Sequence, residues 1–325
     1  MDNRLVLIIL GPTCVGKTGA SILLAKSLGT EIISADSMQI YRHMDIGTAK
    51  PTIEQREMVK HHMIDIVEPS ESYSTGRYVE AVRPVIDKLH SEGKIPIIVG
   101  GTGLYIRAMT RGIFSGPSAD WGLREKLLAV EEKNKGFLYA CLEQLDPDAA
   151  SKVMRTDIRR IIRALEVCLK SSTTISELRQ RLTQPLMYEF IKIGITRDRK
   201  ELYRLIEQRV DRMIENGLVE EVKAVLKLMR YSSTPSLHHS TFSSMQAIGY
   251  KEIAAHLMGE FSRDDAIRLI KKRTKNYAKR QFTWFKKEEG IRWLDITGLF
   301  TDEEIYRAIA ILLENLLTYA VRRNK

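Results

Sequence analysis

Apolar positions along the chain change their period several times, and each change marks an element. Residues 5–10, "LVLIIL", are a short unbroken apolar run cut off by Gly-Pro, which predicts a buried strand. Residues 21–28 repeat apolar side chains at helical spacing. "EIISADS" then reads as a second strand ending in polar residues, and "HHMIDIVEP" as a third closed by Pro69. Residues 74–90 predict a helix with Ser74 or Thr75 near its cap, and "IPIIVGGTG" a further buried strand running into glycines. Strand alternating with helix predicts an α/β fold built on a doubly wound parallel sheet. Its ligands would lie beyond the carboxyl ends of the strands.

The pattern changes at the turn cluster "FSGPSADWG", residues 114–122. From there to about Pro185 only helical periodicity is found, over 123–132, 136–145, 157–170 and 174–182; strand character returns at "YEFIKIGIT", residues 188–196. Residues 116–185 are therefore expected to be an all-helical insertion, with 1–115 and 186–325 forming the α/β core. The core continues with helices over 201–216, 218–229, 246–257 and 263–288, a short strand "IRWLDI", and a last helix over 302–321. "RYSSTPSLHHSTFSS" is expected to be a mobile polar loop.

Composition narrows the partners more than the fold. With 325 residues, 44% apolar and 28% charged, the chain can bury a core without metal or disulfide staples. Its net charge of +10 suits nucleic acid, acidic phospholipid or a phosphorylated metabolite, or serves solubility alone. Cys14, Cys141 and Cys168 are isolated and odd in number, as reduced thiols would be. No run reaches a membrane-spanning length, so a cytoplasmic protein with no membrane attachment is expected. His61, His62, His238 and His239 come in pairs, but no cysteine or carboxylate spacing supports zinc, and they read as structural or surface residues.

Candidate chemistry starts at "GPTCVGKT", residues 11–18, which fits G-x-x-x-x-G-K-[ST] between a strand and a helix. Glycines let successive N–H groups point inward, and the helix start favours an anion. Lys17 reaches a terminal phosphate and the Thr18 hydroxyl suits Mg²⁺. The bland alternative is a glycine-rich turn with no ligand. A nucleotide hydrolase would want an Asp at the end of a later strand, yet "IPIIVGG" ends in Gly100-Gly101-Thr102. An acid follows the second strand instead, Asp36 in "ISADSMQIY", where it could act on an incoming nucleophile. The loop then holds a pyrophosphate that departs.

Three helices carry arginines that need explaining. Arg209 falls within the apolar stripe of Leu202, Leu205, Ile206 and Met213, so it needs an anion, either a diphosphate or a structural carboxylate. Arg273 and Arg280 align with Ala266, Ile270, Tyr277 and Trp284 as inward partners of phosphate or carboxylate, while Lys271, Lys272, Lys275 and Lys279 are expected to face away. In "DIRRIIRALEV", Ile158, Ile161, Ile162 and Leu165 share one face; Arg159, Arg160 and Arg163 lie off it, as an RNA-binding or merely solvated surface.

"GPTCVGKT", "SADSMQIYRHMDIGTAKPT", "HHMIDIVEP", the Tyr73-Ser74 pair, "IPIIVGGTGLYIRAM", "DIRRIIRALEV", "IEQRVDRMIENGLVEEV", "QAIGYKE" and "YAKRQFTWFK" run in order through nearly the whole chain. This series resembles the bacterial tRNA dimethylallyltransferases. The resemblance implies a P-loop fold and transfer of a five-carbon group from dimethylallyl diphosphate to the exocyclic amine of the adenosine 3′ of a tRNA anticodon, position 37. It implies that Gly11, Thr13, Cys14, Val15, Gly16, Lys17, Thr18 and Arg209 hold the diphosphate, with Mg²⁺ at Thr18. Asp36 would be the general base or hydrogen-bond acceptor for the amine, and Thr102 a second polar contact; their bland readings are a turn Asp and a helix cap. Asp36, Ser37, Met38, Gln39, Thr102, Arg124, Arg160 and Arg163 would contact tRNA. Met245 stands where the family usually has Arg. A monomer is expected. Other readings are a P-loop kinase of a small metabolite with the insertion as lid, a nucleic-acid binder using the loop for an allosteric nucleotide, and a prenyltransferase of free adenine nucleotides.

Overall fold

A computed structural model describes residues 4–114, 116–171, 173–231 and 242–323. Strands β1 (Leu5–Leu10), β2 (Ile32–Ala35), β3 (His61–His62), β4 (Ile97–Gly100), β5 (Glu189–Thr196) and β6 (Ile291–Asp295) form one sheet in the order β3-β2-β4-β1-β5-β6. Every neighbouring pair is parallel. Helices follow in chain order: α1 (Lys17–Ser27), α2 (Ile53–Met58), α3 (Thr75–Ser91), α4 (Gly103–Arg111), α5 (Trp121–Lys133), α6 (Phe137–Leu145) and α7 (Pro147–Ser151). The series continues with α8 (Ile158–Lys170), α9 (Ile175–Leu182), α10 (Arg199–Glu215), α11 (Leu218–Tyr231), α12 (Tyr250–Leu257), α13 (Arg263–Phe285) and α14 (Asp302–Arg323).

All six residues of β1 are buried, because helices cover both faces of a parallel sheet. Leu7 and Ile9 pack with Ala20 and Leu24 of α1, Leu202 and Ile206 of α10, and Ile305 and Ile309 of α14. Val6, Ile8 and Leu10 point to the opposite face. The register sets the site. Leu10 and Ala35 both lie opposite Gly100, so the chain leaves β1, β2 and β4 side by side at their carboxyl ends. That is where a doubly wound sheet takes its ligand.

The third strand is shorter than its sequence suggests. Met63 and Asp65 take positive φ values of 62 and 56, which turn the chain out of the sheet after two residues. Helices α2 and α7 have no counterpart in the periodicity. They are only six and five residues long, and α2 buries none of its residues, so no apolar stripe marks it. The helix expected from 246 begins instead with a 3₁₀ turn at Ser244–Gln246, and α12 starts after Gly249.

The chain divides into two compact units, Met1–Ile106 with Met187–Lys325, and Arg107–Leu186. The first is the sheet with its helices. The second is helical, with a core from α6, α7, α8 and α9 that includes Leu138, Leu142, Ile161, Leu165 and Ile175. It begins earlier than the turn cluster at 114–122 indicated. The boundary falls inside α4, and an antiparallel bridge, Ile113 to Gln184, joins the two strands of chain that enter and leave it. Among the described residues no helix is long and apolar enough to cross a membrane.

Candidate active site

The phosphate loop leaves β1 and ends at Gly16, whose φ of 103 is a left-handed conformation that costs glycine nothing. A Cβ at Gly16 would also stand 2.7 Å from Ile305 Cδ1 of α14, so the position is closed to larger residues on both counts. Lys17 opens α1. Its Nζ donates to the carbonyls of Gly11 at 2.9 Å and Pro12 at 2.7 Å, folding the side chain back over the loop. Burial first, and then the charge of Arg209, lower its pKa to about 8, against the raising effects of Asp36 and Cys14. A buried cation of this kind gains from an anion delivered to the loop.

Arg209, on α10, reaches the same loop. Its Nη1 lies 3.3 Å from Thr13 Oγ1 and 3.3 Å from Cys14 Sγ, and among the described residues no carboxylate pairs with it. Cys14 itself sits in the left-handed region, with φ 63. Of the two partners the stripe of α10 allowed, a structural carboxylate is therefore not the one present. Thr13, Cys14, Val15, Gly16, Lys17, Thr18 and Arg209 all line one cavity of about 740 Å³, together with Asp36, Gln39, Tyr277 and Gln281.

Asp36 follows β2. Its Oδ1 accepts from Met38 N at 2.8 Å, an Asx turn that fixes the carboxylate, and among the described residues Oδ2 has no hydrogen-bond partner. The turn reading holds and does not exclude the functional one: one oxygen shapes the loop, and the other has no partner among the described residues. Its charge raises the pKa of Lys17 against burial, and adds to burial in raising the phenols of Tyr78, Tyr105 and Tyr277. Thr102 follows β4. Its carbonyl begins α4, accepting from Tyr105 N at 3.0 Å, while its hydroxyl accepts from Ser37 N at 3.0 Å. Through that hydroxyl the side chain braces the Asp36 turn.

Gln39, expected at tRNA, lines the cavity with its amide engaged by the protein. Its Oε1 accepts from Ser34 Oγ at 2.9 Å, and its Nε2 donates to the carbonyls of Thr48 at 3.4 Å and Ala49 at 3.2 Å. The amide is engaged inside the protein because the chain doubles back at 44–50. Met38 is half-buried against the core of α11 and α12. Two residues that periodicity passed over complete the site. Gln281 of α13 accepts from Thr13 N at 2.8 Å and donates to Gly101 O at 2.9 Å, tying the phosphate loop to the end of β4. The signal for it was a glutamine among the buried Ala278 and Phe285 on one helix face. Lys50, its side chain only 1% exposed, is held by Asp45 at 2.8 Å and Asp65 at 2.5 Å. A loop has no period, so no pattern announced it.

In the helical unit, Arg163 is not part of the open basic face that the spacing in α8 suggested, and Arg124 of α5 turns to the same partner. Both grip Glu166, which is fully buried: Arg124 Nε and Nη2 donate to its two oxygens at 2.9 and 2.8 Å, and Arg163 Nη1 donates to Oε2 at 2.5 Å and to Pro117 O at 2.9 Å. Asp120 N adds a further bond at 2.7 Å. Burial raises the Glu166 pKa, but these donors outweigh it and hold the carboxyl at about 2. The cause is the segment 116–120, which lies over α8 and turns the Arg163 side inward. Arg160 remains exposed, with Asp157 beside it at 3.3 Å.

The long helix α13 also differs. Arg273 pairs with Glu252 of α12, a carboxylate, and Arg280 is exposed rather than inward. Lys271 and Lys275 do not face away; they pair with Asp211 and Glu207 of α10, since α13 packs between α10 and α12. Met245 is buried in the core formed by α11 and α12, beside Ser244, whose Oγ donates to Pro69 O at 2.6 Å. An apolar side chain suits that place. The polar loop proposed around 231–243, with His238 and His239, lies largely outside the described residues. His61 and His62 are engaged structurally, His61 Nδ1 lying 2.7 Å from Val59 O and His62 Nε2 2.5 Å from Glu31.

Comparison with known proteins places the whole chain. A family model described as IPP transferase matches residues 39–288. A tRNA dimethylallyltransferase of Thermodesulfovibrio yellowstonii is 59% identical over 96% of this chain and 99% of its own length. One from Thermotoga maritima is 44% identical over 95% and 98%. Among solved structures, the full-length tRNA isopentenylpyrophosphate transferase from Bacillus halodurans aligns with a TM-score of 0.68 at 38% identity, covering 98% of this chain and 99% of that one. A eukaryotic dimethylallyltransferase acting on tRNA aligns with a TM-score of 0.79 at 33% identity, over 97% of this chain and 80% of that one. A P-loop sheet with this cavity at its strand ends, and relatives matched along nearly their full length, lead to one assignment: the chain belongs to the IPP transferase family.

Proposed function

We propose that this protein transfers a dimethylallyl group from dimethylallyl diphosphate to the N6 amine of an adenosine in tRNA, at position 37, releasing diphosphate. The observation that carries the reading is the pairing of opposites across one cavity. Lys17 and Arg209 flank a phosphate loop, neither of them paired with a carboxylate among the described residues, and Asp36 has an oxygen without a described partner in the same space. Relatives named tRNA dimethylallyltransferase favour this over a small-metabolite kinase, as does a β4 that ends in Gly100 without an acid.

The bond between the allylic carbon and the bridging oxygen breaks, its electron pair leaving with the diphosphate. The loop N–H groups, Lys17 and Arg209 stabilise that charge. The adenine nitrogen bonds to the carbon and gives its proton to Asp36 Oδ2. A carboxylate held by its Asx turn is already oriented for both hydrogen bond and proton transfer. Thr102 holds that turn from β4. The target base must leave its stack to reach an amine site inside the cavity. In the helical unit, Arg160 offers its charge to the RNA backbone, while Arg124 and Arg163 act indirectly by fixing 116–120.

Among the described residues no cluster of three His, Cys, Asp or Glu could cage a metal. The donor set therefore fits Mg²⁺ only as an ion arriving with the diphosphate, with the Thr18 hydroxyl as the protein's oxygen. There it would neutralise charge on the leaving group.

The test is incubation with labelled dimethylallyl diphosphate and unmodified tRNA, with adenosine monophosphate as competitor. Label is expected in RNA, insensitive to the mononucleotide, and Asp36→Ala should cut kcat by about 10²- to 10⁴-fold while tRNA binding survives. Absence of label in RNA beside a competent control would overturn the reading.

A further inference from the structure

We infer that Glu221, on α11, is a positioning residue for the reaction: it fixes the chain that carries Asp36, without touching either substrate. This rests on the reading above.

The observation is an anion with a full set of protein donors. Glu221 Oε2 accepts from Asp45 N and Ile46 N, both at 2.8 Å, and Oε1 accepts from Gly47 N at 3.1 Å. The Tyr250 hydroxyl of α12 donates to Oε1 as well. Three successive backbone N–H groups on one carboxylate are the geometry in which a loop binds an anion, and here the anion is part of the protein. The loop lies flat against its support. A Cβ at Gly47 would be 2.4 Å from the Tyr250 ring and 2.9 Å from Leu218 Cδ1. Burial and the nearby Glu221 both push the Tyr250 phenol up, so its proton stays on the hydroxyl and donates.

From that anchor a short series of contacts leads to the reacting acid. Residues 45–47 continue into Thr48 and Ala49, whose carbonyls accept from Gln39 Nε2. Gln39 Oε1 in turn accepts from Ser34 Oγ at the end of β2. Asp36 lies between those two residues, and its own turn is closed by Met38 N. Lys50 adds a tie from the same loop to Tyr41 O and Asp45. The loop has no strand or long helix of its own to define it, so the long-range carboxylate sets its position.

α11 also follows directly from α10, which carries Arg209 at the phosphate loop. Consecutive helices thus touch the donor end of the cavity with one residue and steady the acceptor end with another. Misplacing a reacting group by a fraction of an ångström lowers the rate steeply while leaving ground-state binding of the other substrate unchanged.

The experiment measures kcat, both KM values, inorganic diphosphate affinity and thermal midpoint for the wild-type chain, Glu221→Gln and Tyr250→Phe, and repeats Glu221→Gln in an Asp36→Ala background. Glu221→Gln puts an NH₂ against N–H donors and is expected to lower kcat by about 10- to 100-fold, with diphosphate affinity unchanged. Tyr250→Phe removes a single donor and should lower kcat by about 3- to 10-fold, so the proposal stays testable if the first variant folds poorly. With Asp36 already truncated, Glu221→Gln should change the residual rate less than about 2-fold, because there is no longer an acid to position. Equal kcat losses with and without Asp36, or wild-type kcat in both single variants, would overturn the proposal. Failure of the wild-type chain to label RNA at all would instead sink the functional reading beneath it.

Discussion

The phosphate loop and the helical unit each gather basic side chains on helices, and they do opposite things with them. Around Glu166, Arg124 and Arg163 close on a carboxylate that the protein itself supplies. Around the loop, Lys17 and Arg209 find, among the described residues, carbonyls, a hydroxyl and a thiol as hydrogen-bond partners. The first arrangement is complete in the free protein and serves the fold. The second remains short of negative charge, a state that costs stability unless something anionic arrives. A cation on a buried stripe therefore does not by itself mark a ligand site; whether the fold also brings a carboxylate decides it.

Breaking the completed cluster should have the larger effect on stability and none on ligand. Glu166→Ala leaves two guanidinium groups without their anion, each with roughly a third of its side chain exposed, at 27% and 31%. That exposure places the loss at the lower end for a broken buried pair, about 3 kcal/mol. Trp121, under the Arg124 guanidinium at 5.0 Å, reports the helical unit by fluorescence, and its transition should fall to lower temperature with diphosphate affinity unchanged. The same carboxylate sets an acid limit. Its folded value of about 2 lies below its ordinary 4.5, so its contribution is complete above pH 4.5 and disappears as pH falls towards 2. A Trp121 transition unmoved by the substitution would remove the contrast between the two regions.

The incomplete cluster should respond the other way. Arg209→Ala removes one charge-assisted contact to the incoming anion, so diphosphate should bind about 30-fold more weakly, a change of about 2 kcal/mol. The thermal midpoint should stay or rise, since an unpaired cation has been removed from beside a buried lysine. Calorimetric titration with inorganic diphosphate checks this directly. Unchanged affinity would mean that Arg209 belongs to the fold after all.

Much of this was legible in sequence because period carries burial. The run at β1, the stripe of α10 and the placement of the loop between strand and helix disclose the sheet, the anomalous Arg209 and the P-loop. What stayed hidden depends on where distant segments meet. Arg163 and Arg160 look alike on a helical wheel; only the lie of 116–120 turns one inward. Arg280 and Lys271 exchanged their expected faces because α13 has neighbours on two sides, which a single stripe cannot express. Gln281, Lys50 and Glu221 act through partners many residues away, and two of their target loops have no period at all.

The contrast sharpens further in the pH dependence of Lys17, where the expected effect is smaller but the mechanism more exposed. Burial and Arg209 leave its ammonium with a pKa of about 8 in the free protein, below the ordinary 10.5. A diphosphate in the loop adds negative charge beside it and moves the value back up. Binding then takes up a proton between those limits, so affinity for dimethylallyl diphosphate is full below pH 8 and falls about tenfold per pH unit above it. The ligand adds no slope of its own, its terminal phosphate being ionised above about pH 7. Lys17→Met should bind weakly and without this dependence. Arg209→Ala, by relieving the repulsion that lowers Lys17, should move the break to higher pH, whereas Arg124→Ala in the helical unit should leave it in place. A wild-type profile flat from pH 7 to 10 would show that the loop lysine is already neutralised from within, as the arginines on Glu166 are, and the two regions would then be alike.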